Sequence, residues 1–158
     1  MKSNKNIRRI LANSFPKIIR QFIPMRLAQH LHFKGSFPVY WKKKRIGFLI
    51  SHNSLIENKI YWRGIEKSDE GKSLEIFLDF VQALKPKLIL DIGANTGVYG
   101  VLSKLISLES EIHFFDPIIG CVNAVNLNLK LNELIGITNH LALSNYNGLG
   151  EIYMNKAL

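Results

Sequence analysis

A strand, a glycine turn and a helix follow one another between residues 88 and 105, and no other stretch constrains the fold as strongly. The apolar run Leu88-Ile89-Leu90 has no polar alternation, which is typical of a parallel strand buried on both faces. Gly93 and Gly97 lack Cβ atoms, so the chain can turn sharply and a ligand can approach the backbone near a helix N-terminus. Helical spacing then relates Val98, Val101, Leu102 and Leu105. The stretch predicts a ligand-binding turn in an α/β sheet.

The spacing within this turn distinguishes between classes of ligand. A dinucleotide fingerprint starting at Gly93 requires glycine at two positions that hold Asn95 and Val98. A phosphate-binding P-loop requires a following Gly-Lys-Ser/Thr, which is absent from the sequence here. The arrangement that remains is an acid, Asp91, followed by glycines two and six residues later. It resembles the turn of S-adenosylmethionine-dependent methyltransferases, in which such an acid faces the ammonium group of the cofactor, directly or through water.

A second acid, Asp116, closes the next predicted strand, Ile112–Phe115. It lies roughly 20 residues beyond the glycine turn, the offset expected of a βαβ unit. A carboxylate there can accept hydrogen bonds from both ribose hydroxyls of an adenosyl ligand. A helix running to about Asn132 and a short strand near residues 137–141 complete a predicted β-α-β-α-β order, with a binding crevice at the carboxyl ends of the strands.

Several segments resemble, in the same order, motifs of the FkbM family of S-adenosylmethionine-dependent methyltransferases. The segments are Tyr61–Glu66, Asp91–Tyr99, Phe115–Pro117, Asn128–Asn132 and Ala142–Gly148. Together they cover about residues 61–153 of the chain. The resemblance implies a Rossmann-like class I methyltransferase fold with S-adenosyl-L-methionine as its cofactor.

Site residues follow from the resemblance by position. The residues implied to shape the methionine pocket are Asp91, Gly93, Ala94, Asn95 and Gly97. Asp116 is implied to hold the ribose, and Ala142 to lie near the adenine. Two positions depart from the family pattern: Asp116 replaces a longer glutamate, and Gly100 stands where serine or threonine is usual. Family members typically methylate hydroxyl oxygens, so the implied partner is a sugar, glycan or other small-molecule acceptor.

The end of the chain departs further from the family. The family's Lys-Ile-Asp-x-Glu-Gly segment, near the transferred methyl group, has no counterpart after Gly148. We therefore expect a truncated methyltransferase whose incomplete parallel sheet has an open edge, with a further strand beginning at Glu151–Met154. The sequence identifies no catalytic base. Two alternatives stay open: a non-catalytic cofactor-binding remnant, and a protein that associates with membranes or polyanions.

Basic residues are concentrated at the N-terminus. Residues 1–45 contain 12 of the 21 Lys and Arg residues and no acidic residue. Residues 46–158 contain the other nine basic residues and all 12 acidic residues. The first 45 residues thus carry +12 and the remainder −3, although the whole chain carries +9. A mildly acidic remainder argues against a nucleic-acid-binding domain.

Residues 1–45 are predicted to form a basic amphipathic extension whose helix is broken at Pro16. Its apolar residues at helical spacing are Ile7, Ile10 and Leu11, then Ile18, Ile19, Phe22 and Ile23. Basic residues interrupt the apolar run, which argues against a secretion signal, and no stretch approaches the roughly 20 apolar residues of a membrane-spanning helix. The extension either docks on the domain that follows or attaches to an anionic surface, peripherally at a membrane or on an acidic glycan.

Residues 46–158 are predicted to form a partial methyltransferase domain, with a lead-in at 46–86 and the cofactor-binding half at 87–158. Short alternating runs predict strands at Arg45–Ile50 and Lys59–Trp62. A helix capped by Ser73 and ended by Pro86 follows. Its predicted apolar stripe consists of Phe77, Phe80, Val81 and Leu84.

The cysteine and histidine content predicts neither a disulfide nor a metal site. Cys121 is the only cysteine, and the sequence contains no CxxC pair or histidine cluster. A reducing compartment, the cytoplasm, fits this composition. We expect Cys121 to be a small buried apolar residue and Tyr99 to belong to the core.

Overall fold

The computed structural model describes residues 17–20, 22–28, 30–31, 33–50, 54–67 and 71–152. Helices and strands alternate along them. The elements are α1 (Lys17–Arg20), α2 (Met25–Ala28), β1 (Ser36–Trp41), β2 (Lys44–Ile50), α3 (Leu55–Arg63), α4 (Gly71–Leu84), β3 (Leu88–Ile92), α5 (Val98–Ile106), β4 (Glu111–Phe115), α6 (Ile119–Leu131) and β5 (Ile137–Asn139). The chain is therefore a mixed α/β protein.

A three-stranded parallel sheet, in the order β3-β4-β5, carries the glycine turn. Leu88 pairs with Glu111 at one end of the first ladder, and His113 pairs with Ile137 at the start of the second. Helices α5 and α6 connect the strands, so the predicted β-α-β-α-β order is confirmed. Parallel pairing brings the carboxyl ends of β3 and β4 to the same edge of the sheet.

Only one face of β3 is buried by the described residues. Ile89 is buried, whereas Leu88, Leu90 and Ile92 are 51%, 51% and 60% exposed. The prediction of a strand buried on both faces is therefore wrong for this part of the chain. The reason is topological: two successive crossovers of the same hand place α5 and α6 on one face of the sheet, around Phe114. The apolar run of β3 thus leaves one side open.

An antiparallel hairpin of β1 and β2 packs against the outer side of α5 and α6. The predicted strand at 45–50 is confirmed, and the structure adds β1 as its partner. The contact is close at Gly47, where a Cβ atom would lie 2.4 Å from Leu105 Cδ1 and 2.7 Å from Asn132 Oδ1. The domain boundary inferred from charge, between residues 45 and 46, falls inside β2.

Residues 59–62 are helical, so the prediction of a strand at Lys59–Trp62 is wrong. They lie in α3, which ends at Arg63; the next residue, Gly64, has a φ of 77° and its N–H donates to the Ile60 carbonyl. Packing on several sides of this helix buries five residues, namely Glu57, Asn58, Ile60, Tyr61 and Trp62. A helix buried on several sides shows little amphipathic period, so a short apolar run within it resembles a strand.

Helix α4 is confirmed, and it ends before Pro86 as expected. Its buried apolar stripe is Leu74, Leu78 and Val81. Of the predicted stripe only Val81 is buried; the exposed members are Phe77, Phe80 and Leu84. Ser73 lies within the first turn of α4 and does not precede it, so it is not the cap. The contact with α5 selects the buried face, and the exposed aromatic residues lie beside it.

Among the described residues, the helix predicted after Pro16 is shorter than its apolar spacing indicates. After Pro16, the helix α1 is a single turn, and Pro24 separates it from α2. Phe22 is well exposed, Ile23 is half-buried and Ala28 is buried. The first apolar group, Ile7, Ile10 and Leu11, lies outside the described residues. Within the described ranges, no helix is long and apolar enough to cross a membrane.

Candidate functional site

The turn between β3 and α5 has a backbone that favours glycine at two positions. Gly93 and Gly97 have φ values of 72° and 76°, and Asn95 lies between them with φ 51°. A Cβ atom on Gly97 would lie 2.9 Å from Val125 Cγ2, because the turn packs tightly on α6. At Gly93 nothing lies within 4 Å of the Cβ position. Gly97 therefore allows close packing, while Gly93 presents bare backbone to an open space.

Hydrogen bonds tie this turn to the end of β4. The N–H groups of Gly93 and Ala94 donate to the Phe115 carbonyl at 2.9 and 3.0 Å. The Asn95 N–H donates to Oδ2 of Asp116 at 2.8 Å. Ala94 itself is buried. The turn is thus held in one position relative to the second strand, which is the preorganisation that a ligand site requires.

Asp116 lies at the predicted edge of the sheet, but its carboxylate has a structural task. The side chain is only 7% exposed, and its second oxygen, Oδ1, accepts a bond from the Ile118 N–H at 2.8 Å. Both oxygens are therefore bonded to backbone, one in the turn and one before α6. An adenosyl ribose would have to use the remaining lone pairs.

Asp91 lies at the end of β3, below the first turn of α5. Its Oδ2 accepts a hydrogen bond from the Gly100 N–H at 2.9 Å, the one bond that its carboxylate accepts among the described residues. Burial raises the pKa of Asp91, the Gly100 N–H opposes this, and the charge of Asp116 raises the pKa further. The carboxylate is therefore a partly desolvated anion that gains from a cationic partner.

Gly100 is one of the two positions at which the sequence departs from the FkbM pattern, and its surroundings leave no space for a side chain. A Cβ atom at this position would lie 2.3 Å from Phe114 Cε1 and 2.7 Å from Asp91 Oδ2. The larger side chain that is usual in the family therefore has no room. Phe114 fills that space from the sheet beneath and is 1% exposed.

A titratable side chain outside the glycine turn, Cys121, borders it. The Cys121 thiol lies 3.6 Å from Oδ1 of Asn95. Burial raises the pKa of Cys121, the charge of Asp116 and a hydrogen bond to the Asp116 carboxylate raise it further, and the charge of Glu57 adds to this, so the thiol stays protonated at neutral pH. Cys121 is half-buried and not fully buried as expected. The sequence interpretation missed Glu57, a fully buried carboxyl group in α3, because the two polar residues that follow it in the sequence give no signal of burial.

Asn128 links three parts of the fold and was also missed as a functional residue. Its Nδ2 donates to the Thr96 carbonyl in the glycine turn at 2.9 Å, and its Oδ1 accepts from the Ile50 N–H at 2.8 Å. Asn132, one helical turn later, bonds both the N–H and the carbonyl of Phe48, each at 2.8 Å. The Asn-x-x-x-Asn spacing resembled a family motif, but nothing in the sequence showed what these amides contact.

Six of the seven candidate residues meet at one edge of the sheet. They are Asp91, Gly93, Ala94, Asn95, Gly97 and Asp116. Ala142 is exposed in the irregular segment after β5, and no hydrogen bond among the described residues joins it to the turn. That segment is connected to the loop after β4 by His140, whose Nε2 lies 2.9 Å from the Pro117 carbonyl. The start of the expected strand at 151–154 has no regular structure at residues 151–152, and the rest lies outside the described residues.

Comparison with known proteins adds no relative: no protein-family model, curated protein or solved structure matches this chain. Among the described residues, no group of three His, Cys, Asp or Glu side chains is arranged to hold a metal ion. The function must therefore be inferred from the geometry of the turn itself.

Proposed function

We propose that this chain binds S-adenosyl-L-methionine at the turn between β3 and α5, as part of a Rossmann-like class I methyltransferase of the FkbM type. The acceptor class that accompanies this proposal is a hydroxyl group on a sugar or natural product. The observation that carries the proposal is the position of the partly desolvated Asp91 carboxylate, at a strand end beside a turn whose Gly93 faces open space. S-adenosylmethionine supplies a methyl group on a cationic sulfur, and its methionine part carries an ammonium group.

The residues of the turn fit a ligand of this kind. Asp91 would pair with the ammonium group, and the pairing gains strength because the carboxylate is already partly removed from water. Bare backbone at Gly93 would lie against the methionine part without a side chain between them. Asp116 fixes Asn95 and hence the shape of the turn. The described residues thus bind and orient a cofactor, and none of them is assigned as a general base.

Replacement of Asp91 by asparagine tests this proposal. Asp91→Asn keeps an oxygen that accepts from the Gly100 N–H, but it removes the charge. We expect affinity for S-adenosylhomocysteine to fall about 10- to 100-fold, since a hydrogen bond to a charged group is worth roughly 1.5–3 kcal/mol. Thermal stability should not fall, because the variant no longer buries a charge. Isothermal titration calorimetry and thermal unfolding measure the two quantities.

The matched control is Asp79→Asn, which removes an exposed carboxylate in α4 that is paired with Lys42. This variant should bind S-adenosylhomocysteine as the wild type does. Equal affinity of the Asp91→Asn variant and the wild type would contradict the proposal. A large loss of stability in the Asp91→Asn variant would instead show that the carboxylate serves the fold.

The raised pKa of Asp91 adds a pH dependence with a definite sign. The carboxylate must be charged to hold an ammonium group, so affinity should fall as pH decreases through the raised folded-state pKa. Without ligand the effect on stability is opposite: Asp91 favours folding at low pH, and this contribution is lost as pH rises through the raised pKa. The Asp91→Asn variant should lack both effects.

A further inference from the structure

A cavity on another side of the molecule lies between α1, β1 and the end of α3. Its volume is about 400 Å³, which lies in the range of roughly 300–1,000 Å³ that is typical of small-molecule sites. It shares no lining residue with the glycine turn. Any ligand of this cavity would therefore be distinct from the ligand of the turn.

The floor of this cavity is apolar and aromatic. Phe37 and Val39 contribute from β1, and Ile60, Tyr61 and Ile65 contribute from α3 and the turn after it. All five are at least 95% buried. A floor of this kind packs against the apolar or planar body of a small molecule.

The charged residues around the cavity are mostly basic. Among the described residues, Arg20, Lys43, Arg63 and Lys67 line it, together with one acidic residue, Glu66. Helix α3 ends at the cavity and adds about half a negative charge from its C-terminus. The net charge of the described lining, with the helix terminus included, is more than +2, so the lining favours an anion.

Both arginine side chains are held in place by the surrounding backbone and ring. The Arg20 guanidinium carbon lies 3.9 Å from the centroid of the Tyr61 ring. Arg63 donates from Nη1 to the Arg20 carbonyl at 2.7 Å and from Nη2 to the Ile23 carbonyl. Burial lowers the pKa of Arg20, which indicates that its cation is partly desolvated. A cation in such surroundings attracts an anion more strongly than one in bulk water.

We propose that this cavity binds a small organic anion, with a carboxylate or phosphate head among the basic residues and an apolar body on the aromatic floor. The inference is independent of cofactor binding at the glycine turn. Lys43 and Lys67 stand at the exposed rim and would make the outer contacts of the head. Arg20 lies deeper, beside Tyr61.

Three probes of similar size test the proposal on the full chain: phenyl phosphate, benzoate and the neutral benzyl alcohol. Ligand-observed NMR titration measures their affinities. We expect at least one anion to bind about fivefold or more tightly than benzyl alcohol, and this preference should shrink as salt rises from about 0.1 M to about 1 M. A preference for phenyl phosphate or for benzoate identifies the head group.

The variant Lys43→Gln/Lys67→Gln removes two rim cations at exposed positions. Affinity for the preferred anion should fall about five- to tenfold, while affinity for benzyl alcohol stays constant. The control is Lys42→Gln: Lys42 occupies the same hairpin turn, does not line the cavity, and pairs with Asp79 at 2.6 Å. Circular dichroism establishes that all variants are folded.

Three results would overturn the proposal. The first is no binding of either anion at about 10 mM, a generous concentration for the weak affinity expected of so small a probe. The second is equal binding of the anions and benzyl alcohol. The third is an equal loss of affinity in the double variant and in Lys42→Gln, which would reflect net charge and not this cavity.

Discussion

Replacement of Asn128 should loosen the glycine turn, although the residue lies on a helix outside it. The Asn128→Ala variant loses the bond to the Thr96 carbonyl in the turn and the bond from the Ile50 N–H in β2. The side chain is fully buried and so is its bond to the Thr96 carbonyl, whereas the bond from the Ile50 N–H is partly buried. Each orphaned group costs about 1–3 kcal/mol. Allowing for partial relaxation, we expect a total loss of about 2–4 kcal/mol, or about 4–16 °C in Tm for a chain of this size.

The residue one helical turn later provides a matched comparison. Asn132 bonds Phe48 in β2 twice, and it makes no hydrogen bond to the glycine turn among the described residues. Asn132→Ala should therefore lower the stability by a comparable amount, about 1–3 kcal/mol, while it leaves the turn in place. The two variants separate a general loss of stability from a specific loss of positioning.

Amide hydrogen exchange measured by mass spectrometry distinguishes the two effects without a ligand. In the Asn128→Ala variant, exchange should accelerate both in a peptide covering 46–50 and in one covering 93–97. In the Asn132→Ala variant, only the peptide from β2 should respond. Unchanged exchange at 93–97 in the Asn128→Ala variant would refute the reasoning, since the bond to Thr96 would then contribute nothing to the turn.

Two further changes follow from the packing. Gly100→Ser should destabilise the fold by about 1–3 kcal/mol, because its Cβ atom would lie 2.3 Å from Phe114 Cε1. The control Gly120→Ser should not destabilise the fold, because nothing lies within 4 Å of its Cβ position. Equal urea midpoints for the two variants would contradict this expectation. Leu90→Lys should leave the Tm nearly unchanged and reduce self-association in light scattering, since Leu90 is 51% exposed on the open face of β3. A large drop in Tm would mean that this face is covered.

The order of elements around the site was predictable because its signals are local. The apolar run before Asp91, the two glycines after it and the helical spacing from Val98 depend only on neighbouring residues. The signals for β4 and α6 are also local, and both elements lie close to their expected bounds in the structure. A local pattern therefore fixed where the turn lies and which acids stand at the strand ends.

Helix orientation and burial were not predictable, because they depend on distant contacts. In α4 the apolar residues span a wide arc, and contact with α5 buries the side that includes Leu78 and leaves Phe80 exposed. In α3 burial on several sides removes the amphipathic period, so residues 59–62 resembled a strand. The open face of β3 likewise depends on where both crossover helices pack.

The sequence by itself determined that an acid–glycine turn follows a parallel strand, and that a second acid follows the next strand. Only the tertiary structure decided what those acids do. Asp116 bonds backbone at both oxygens and holds the turn, whereas Asp91 has one such bond and a raised pKa. The physical reason is that a carboxylate's role depends on which N–H groups and charges surround it. Those groups come from the glycine turn, α5 and the loop before α6, and only folding brings the Asn95 N–H of the turn to Asp116, 21 residues away.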